Sequence, residues 1–560
     1  MRSAAVVVGV GLLLVGTVLD RTGWWGWARE ITDGALPVAS LLVLVAAGLL
    51  ATADAASARR AGAVGAVVAG AVTAVLLVRA VVDGLPGPAA GVLLVGVAAV
   101  VGGAVARAGR VSRGRHRVGS VAVGATVVAA AVVAGSVVDL PRGTTTDAPV
   151  TDAAVVTRPA AVRWSWSAGG PVADVVPVRG GVAVVRGTGG PRTDVPFDDD
   201  EDDGPGDEVV ALDGTTGTPR WSFGHGRQRT DAVVPSPGGD TLVVSHVLPG
   251  RGALVTVLDA ASGATRFTVV VPTRRGVLHL TDRVLTVLEP LPAPPSSSAS
   301  RREPTTYRLV AHRLADGAQA WTWTPPPGCA LEGRWSPTLG PPGRWTLATR
   351  DVGVTPVDCG PDRVLTGLDD RDGSVRWSVP GGPLVTPDGE VVTAEPDVTA
   401  LPDGSGVLVG GNPARVVDAA GGASRPVPGL GRFDLGATRP GPVRALALSD
   451  GEPTGTFEAR TGAIVPLPSE APGECSTREG ALAVTEATTL RLCGLGSGFG
   501  LRVDAGPVLP VDLGPPALVD DDSLREGLLY RRSAYVVVPA PGALVLTTTR
   551  TDPATVVGVG

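Results

Sequence analysis

A triplet of residue types, returning seven times between residues 213 and 510, constrains this chain more than any other feature of it. An anchor residue, usually acidic, is followed four positions later by Gly and eight positions later by an aromatic residue. VVALDGTTGTPRW carries Asp213, Gly217 and Trp221; VTVLDAASGATRF carries Asp259, Gly263 and Phe267. LVAHRLADGAQAW carries Arg313, Gly317 and Trp321; VLTGLDDRDGSVRW carries Asp369, Gly373 and Trp377. Three weaker copies follow in phase, anchored at Asp418, Glu458 and Arg502, with Gly422, Gly462 and Gly506, and with Pro426, Pro466 and Pro510 at the aromatic position. The anchors lie 46, 54, 56, 49, 40 and 44 residues apart. That is the length of one four-stranded blade with its loops. Each anchor closes a short Val- and Leu-rich run, the punctuation of strands and not of helices. An Asp there can close a turn on its own backbone two residues on. The Gly supplies the positive φ a tight hairpin needs, and the aromatic opens the outgoing strand, where it can be sandwiched between blades.

Ala211, Asp213, Thr216, Gly217 and Trp221 match the consensus Ala-x-Asp-x-x-Thr-Gly-x-x-x-Trp in full. The chain from 162 to 560 thereby resembles the pyrroloquinoline-quinone-type propeller repeat. The resemblance implies an all-β propeller in which Trp221, Trp321 and Trp377 each dock on the neighbouring blade. Near its start the tract VRWSWS, with Trp164 and Trp166, looks like the end of a repeat, and AYVVVPAPGALVLTTTRTDPATVVGVG at the other end looks like strands without an ending. Joined, they form one composite blade and close the ring, which hides the edge strands. Seven copies plus the composite give eight blades of four antiparallel strands, with seven blades as the alternative.

The first 140 residues have a different texture. Apolar runs at Ala4–Leu19, Ala35–Ala53, Ala61–Val82, Gly87–Ala106 and Val118–Val138 are each near the length that spans a bilayer as a helix. The expected organisation is therefore an α-helical membrane domain of five transmembrane helices (1–140), a Pro/Thr-rich linker (141–161) and an extracytoplasmic β-propeller (162–560). Arg107, Arg110, Arg113, Arg115 and Arg117 crowd the loop after the fourth run and place it in the cytoplasm. Alternation then puts the N-terminus inside and the propeller outside. Trp24, Trp25 and Trp27 read as an interfacial anchor. Arg79 and Asp83 sit where Arg can snorkel. The charge divides along the same line: residues 1–142 hold 12 Arg against 6 acids, the rest 36 Arg against 48 acids. An acidic propeller does not suit nucleic acid.

All four cysteines, Cys329, Cys359, Cys475 and Cys493, fall in the exported part, where disulfides are permitted. Of three connectivities, Cys329–Cys359 with Cys475–Cys493 keeps each pair within one or two blades. No Cys-x-x-Cys and no adjacent His supports zinc. The tract FDDDEDDGPGDE partly mimics a calcium loop at Asp199, Glu201, Asp203 and Gly204. Val210, however, stands where a bidentate Glu is needed, so the tract reads as a solvated insert. Pro290–Pro304 is a second low-complexity insert. His116, His225, His246, His279 and His312 show no metal or triad spacing; His279 and His312 fall in expected strands as structural side chains.

The chain has no Lys, which excludes Schiff-base and phosphate-loop lysine chemistry. Two functions follow. One is a non-catalytic binding or scaffold protein at the cell envelope, with no cofactor, no metal and no catalytic residue, engaging an envelope protein, peptide or glycan through the propeller face. The other, implied by the resemblance, is a pyrroloquinoline-quinone-dependent membrane dehydrogenase. The absence of Lys, the single Asn412 and the lack of vicinal cysteines favour the first.

Overall fold

The computed structural model describes residues 63–68, 70, 97, 100–101, 142–187, 207–224, 230–248, 252–271, 277–291, 307–331, 347–359, 362–380 and, between 384 and 560, the strands and turns named below. The chain divides into two compact units, Met1–Arg142 with His225–Gln228, and Gly143–Gly224 with Arg229–Gly560. In the first unit residues 63–68 are helical. The five apolar runs otherwise lie outside the described residues, as do the acidic tract up to Gly206 and most of the proline-rich insert. Among the described residues no helix is long and apolar enough to cross a membrane.

The second unit is built of strands, because its short Val- and Leu-rich runs are cut by Gly, Pro and Asp before any helical period can develop. After β1 (Arg142–Thr144) and β2 (Val162–Ser167), blade 1 comprises β3 (Val172–Val178), β4 (Gly181–Arg186), β5 (Glu208–Asp213) and β6 (Pro219–Gly224), with β1 added outside β6. Blade 2 comprises β7 (Thr230–Pro235), β8 (Thr241–Leu248), β9 (Gly252–Asp259) and β10 (Thr265–Val271). Blade 3 comprises β11 (Val277–Leu280), β12 (Val284–Pro290), β13 (Tyr307–Arg313) and β14 (Gln319–Trp323). After β15 (Leu347–Ala348), blade 4 comprises β16 (Val352–Cys359), β17 (Asp362–Asp369) and β18 (Val375–Pro380). The strands β19 (Leu384–Val385) and β20 (Val391–Val392) form a small sheet of their own. Blade 5 comprises β21 (Val398–Ala400), β22 (Gly406–Val409), β23 (Arg415–Asp418) and β24 (Ser424–Pro426). Blade 6 comprises β25 (Phe433–Leu435), β26 (Arg444–Ser449), β27 (Glu452–Glu458) and β28 (Ala463–Pro466). Blade 7 comprises β29 (Leu482–Val484), β30 (Thr489–Leu495), β31 (Gly498–Val503) and β32 (Val508–Val511). Blade 8 comprises β33 (Tyr535–Ala540), β34 (Ala543–Thr548), β35 (Thr555–Val559) and, as its outer strand, β2.

Every blade is an antiparallel meander. The first strands of blades 7, 8, 1 and 2 neighbour one another, so the first strand of a blade is its inner one. Alternate side chains of each middle strand feed two different cores. In β5, Val210 and Leu212 pack against Val538, Val545 and Val556 of blade 8. Val209 and Ala211 pack instead against Leu242, Val244 and Leu258 of blade 2. Comparable cores join blades 2 and 3, 3 and 4, 4 and 5, 5 and 6, and 7 and 8. The result is an all-β, propeller-like fold. The composite sheet forms as the sequence suggests: Val162 pairs with Val559, Trp164 with Gly558 and Trp166 with Val556.

Two expectations are corrected. Blade 4 does not have four antiparallel strands. Its described sheet holds three, and β15, in the inner position, pairs parallel to β11 of blade 3 through His279–Leu347 and Leu280–Ala348. The interval 141–161 is also more than a tether. Thr144 Oγ1 accepts a 2.9 Å bond from Ser222 N at the edge of blade 1, and Thr146 N donates to Ser262 O of blade 2 at 3.0 Å. Asp152 meets Arg179 in the β3–β4 turn at 3.1 Å. Val155 bridges to Pro541, and Gly542 N donates to Ala154 O at 2.9 Å, both in the β33–β34 turn. Thr488 Oγ1, beside β30, donates to Thr157 O at 2.5 Å. Residues 143–161 thus form a strap across the turns between the first and second strands of blades 1, 8 and 7.

Candidate functional site

In an antiparallel meander, turns between strands 1 and 2 and between strands 3 and 4 emerge at one end of the blade. The second-to-third turns and the blade-to-blade connections emerge at the other. The repeated triplet occupies the first, or hairpin, end. Asp213 Oδ1 accepts from Thr215 N at 3.0 Å and Thr216 N at 2.9 Å, and also from both hydroxyls. Burial raises the Asp213 carboxyl, but these four donors outweigh it and hold the group below the ordinary value. Asp259 repeats the arrangement with Ala261 N, Ser262 N and Arg266 Nη2, and burial is again outweighed. Asp369 does so with Arg371 N and Arg376 Nε, with the same outcome. Arg313 has no carboxylate to offer, and Asp316 takes over by accepting from Ala318 N and pairing with Arg313 at 2.8 Å.

The Gly of five of the seven triplets has a positive φ: 70° at Gly217, 75° at Gly263, 72° at Gly317, 71° at Gly373 and 69° at Gly422. Each also lies under the aromatic ring of the preceding blade. A β-carbon added at these five glycines would stand 2.5–2.7 Å from ring carbons of Trp164, Trp221, Phe267, Trp321 and Trp377 respectively. The indole N–H completes the dock. It donates to Gly214 O (from Trp164, 2.9 Å), Ala260 O (Trp221, 3.0 Å), Asp370 O (Trp321, 3.0 Å) and Ala419 O (Trp377, 2.8 Å). Trp164 docks in the same way as Trp221, though no triplet precedes it in sequence, because the strand it pairs with is β35. The weak copies depart. Pro426, Pro466 and Pro510 are exposed and offer no aromatic ring. In the last copy, Asp504 takes the positive φ (50°), and its Oδ1 accepts from Thr489 N at 2.8 Å, so Gly506 is not the left-handed residue. Gly462 lies outside the described residues.

Both disulfides are present: Cys329–Cys359 and Cys475–Cys493. Each ties an incoming segment to the second strand of a blade. Ala330 and Asp358 exchange backbone bonds of 2.7 and 2.9 Å beside the first; Cys475 and Cys493 themselves form a bridge pair on β30. His279 lies wholly buried on β11, and that burial pushes it down to about 4 against an opposing hydrogen bond with the Val354 backbone. His312 Nδ1 donates to Gly317 O at 3.1 Å, and burial lowers the pKa of this imidazole too. Among the described residues no group of three His, Cys, Asp or Glu is placed to hold a metal ion. The charged side chains of the triplets thus serve the turns and the blade contacts.

The family described as outer membrane protein assembly factor BamB matches residues 205–380, the stretch that holds the four strong triplets. No curated protein matches the chain. Among solved structures the chain is similar to a structure from a study of two prolyl endopeptidases, at 13% identity and TM-score 0.37, over 68% of this chain and 54% of that one. It is similar to an acylaminoacyl peptidase of Pyrococcus horikoshii at 8% identity and TM-score 0.32, over 69% of this chain and 50% of that one. It is also similar to the β-propeller domain of the trilobed protease of Pyrococcus furiosus, at 9% identity and TM-score 0.31, over 70% of this chain and 94% of that one. The chain thus spans about half the length of each of the first two. The strand order and the docked triplets define the class: a propeller-like protein with pyrroloquinoline-quinone-type repeats.

Proposed function

We propose that this chain is a membrane-anchored, extracytoplasmic, eight-bladed propeller that binds a protein, peptide or glycan of the cell envelope without catalysing a reaction on it. The strap across the hairpin end carries this reading. It occupies the inner turns of blades 1, 8 and 7 and leaves the opposite end, where second-to-third turns and blade connections emerge, as the face for a partner. The repeat residues support it as well, since their polar groups are consumed in turn closure and blade docking. Five apolar runs before residue 140 supply the anchor, and two disulfides suit an oxidising exterior.

Crosslinking of the full chain in its native membrane, followed by mapping of crosslinked sites, tests the proposal. Crosslinks to an envelope component on the loops opposite the strap are expected. Crosslinks confined to the strap end would overturn the choice of face. Reduction of an electron-accepting dye by sugars or alcohols, dependent on added quinone and calcium, would overturn the non-catalytic reading. Resistance of the propeller to protease in intact cells, with cleavage after lysis, would overturn its placement outside.

A further inference from the structure

A buried polar atom without a partner weakens the contact that buries it, and such atoms are scarce in packed interiors. Here three of them meet at one place, the junction of blades 3 and 4: His279 Nδ1, Thr286 Oγ1 and Asp370 Oδ1 have no hydrogen-bond partner among the described residues. His279 and Thr286 are 2% and 1% exposed and stand directly opposite each other on β11 and β12. Leu280, Leu285 and Val287 face the core shared with blade 2, and Val284 and Leu288 face the core shared with blade 4. Alternation therefore turns His279 and Thr286 toward blade 4. There the imidazole lies against Gly353 of β16, where an added β-carbon would be 3.1 Å from Nδ1. The Asp370 side chain is 1% exposed; its Oδ2 accepts from Thr281 Oγ1 at 3.3 Å, and its Oδ1 stands 3.9 Å from Arg283 Nη1. At the equivalent position, whose carbonyl accepts the indole N–H, the other three tryptophan docks have Gly214, Ala260 and Ala419. The inner strand is irregular at the same junction, with β15 paired to blade 3 and not to β16. The Cys329–Cys359 disulfide spans it, from the segment that trails β14 to the last residue of β16.

We propose that the junction of blades 3 and 4 is a seam in the ring, held shut by Cys329–Cys359 and loosened when a dithiol reduces that bond. The dithiol gives up two electrons and two protons and closes to its own disulfide, while the Cys329–Cys359 sulfur–sulfur bond breaks into two thiols. Both cysteines are half-buried and within reach of an attacking thiolate, whereas Cys493 in the other disulfide is 1% exposed.

Hydrogen exchange of the full chain, read by mass spectrometry before and after dithiothreitol, tests the seam. Exchange in β11, β12 and β16 is expected to rise at least tenfold on reduction, with β33–β35 unchanged. The double variant C329S/C359S should show the same pattern without reductant, and C475S/C493S should not. Thr286→Val replaces the unpartnered hydroxyl by a methyl and should slow exchange of β12 and β16 in the reduced protein. Should C329S/C359S fail to fold, stepwise reduction of the native chain with thiol mapping carries the same comparison. A uniform rise over all blades, no rise at the junction, or faster exchange in Thr286→Val would overturn the proposal.

Discussion

At the scale of single residues, the triplet couples two demands at one glycine. Gly263 needs a left-handed backbone at φ 75°, and it needs bare space because the Trp221 ring lies where a β-carbon would be, 2.6 Å from Cγ. Gly328 has a similar φ of 84° with nothing within 4 Å of the added carbon. The pair separates backbone strain from lost docking. Gly328→Ala should cost about 1–2 kcal/mol, the left-handed penalty alone. Gly263→Ala should cost about 3 kcal/mol or more, because the ring must also move. Thermal unfolding of the two variants checks the order. His279 makes the second residue-scale prediction. Its pKa falls from 6.5 to about 4 in the folded chain, so between those values the unfolded state binds the extra proton. Folding stability should be full above pH 6.5 and decline by about 3 kcal/mol as pH falls toward 4. His279→Gln should flatten this decline in urea titrations across that window, and an unchanged slope would assign the acid sensitivity elsewhere.

At the scale of elements, the strap shows how three residues can redirect a segment. In β1, Gly143 lies so close to β6 that an added β-carbon would stand 2.7 Å from Ser222 O. Gly143→Val should therefore lift β1 off the edge of blade 1. Limited proteolysis should then cut within 143–161 at least tenfold faster while β3–β6 stay intact. Equal cutting rates in both proteins would mean that the later contacts, at Pro541 and Thr488, hold the strap unaided. Little of this was legible beforehand. PRGTTTDAPVTDAAVVTRPAA reads as a polar linker because it lacks alternation, and its contacts are backbone bonds to turns that lie far away in sequence. The parallel pairing of β15 was equally hidden, since two residues carry no periodicity.

At the scale of the whole molecule, closure depends on one strand from each end of the described propeller. Residues Val162–Ser167 pair with Thr555–Val559, and Val557 and Val559 are fully buried. Removing residues 555–560 should leave β2 without a partner and expose the middle edge of blade 8. Loss of cooperative unfolding and concentration-dependent association are expected, seen by calorimetry and light scattering. A truncated chain that stays monomeric with an unchanged transition would show that the strap closes the ring without the composite sheet.

The sequence alone left three disulfide connectivities and seven or eight blades open, but it determined the blade strands and the hairpins of the strong triplets. These follow from local chemistry: a turn needs Asp and Gly at fixed spacing, and a strand needs alternating apolar residues, wherever the blade ends up. Only the tertiary structure decided that Trp164 docks on Gly217, that the strap crosses the hairpin end, and that the polar His279, Thr286 and Asp370 share one junction. Those contacts join residues tens to hundreds of positions apart, and their energy comes from burial against a neighbour that no local pattern identifies.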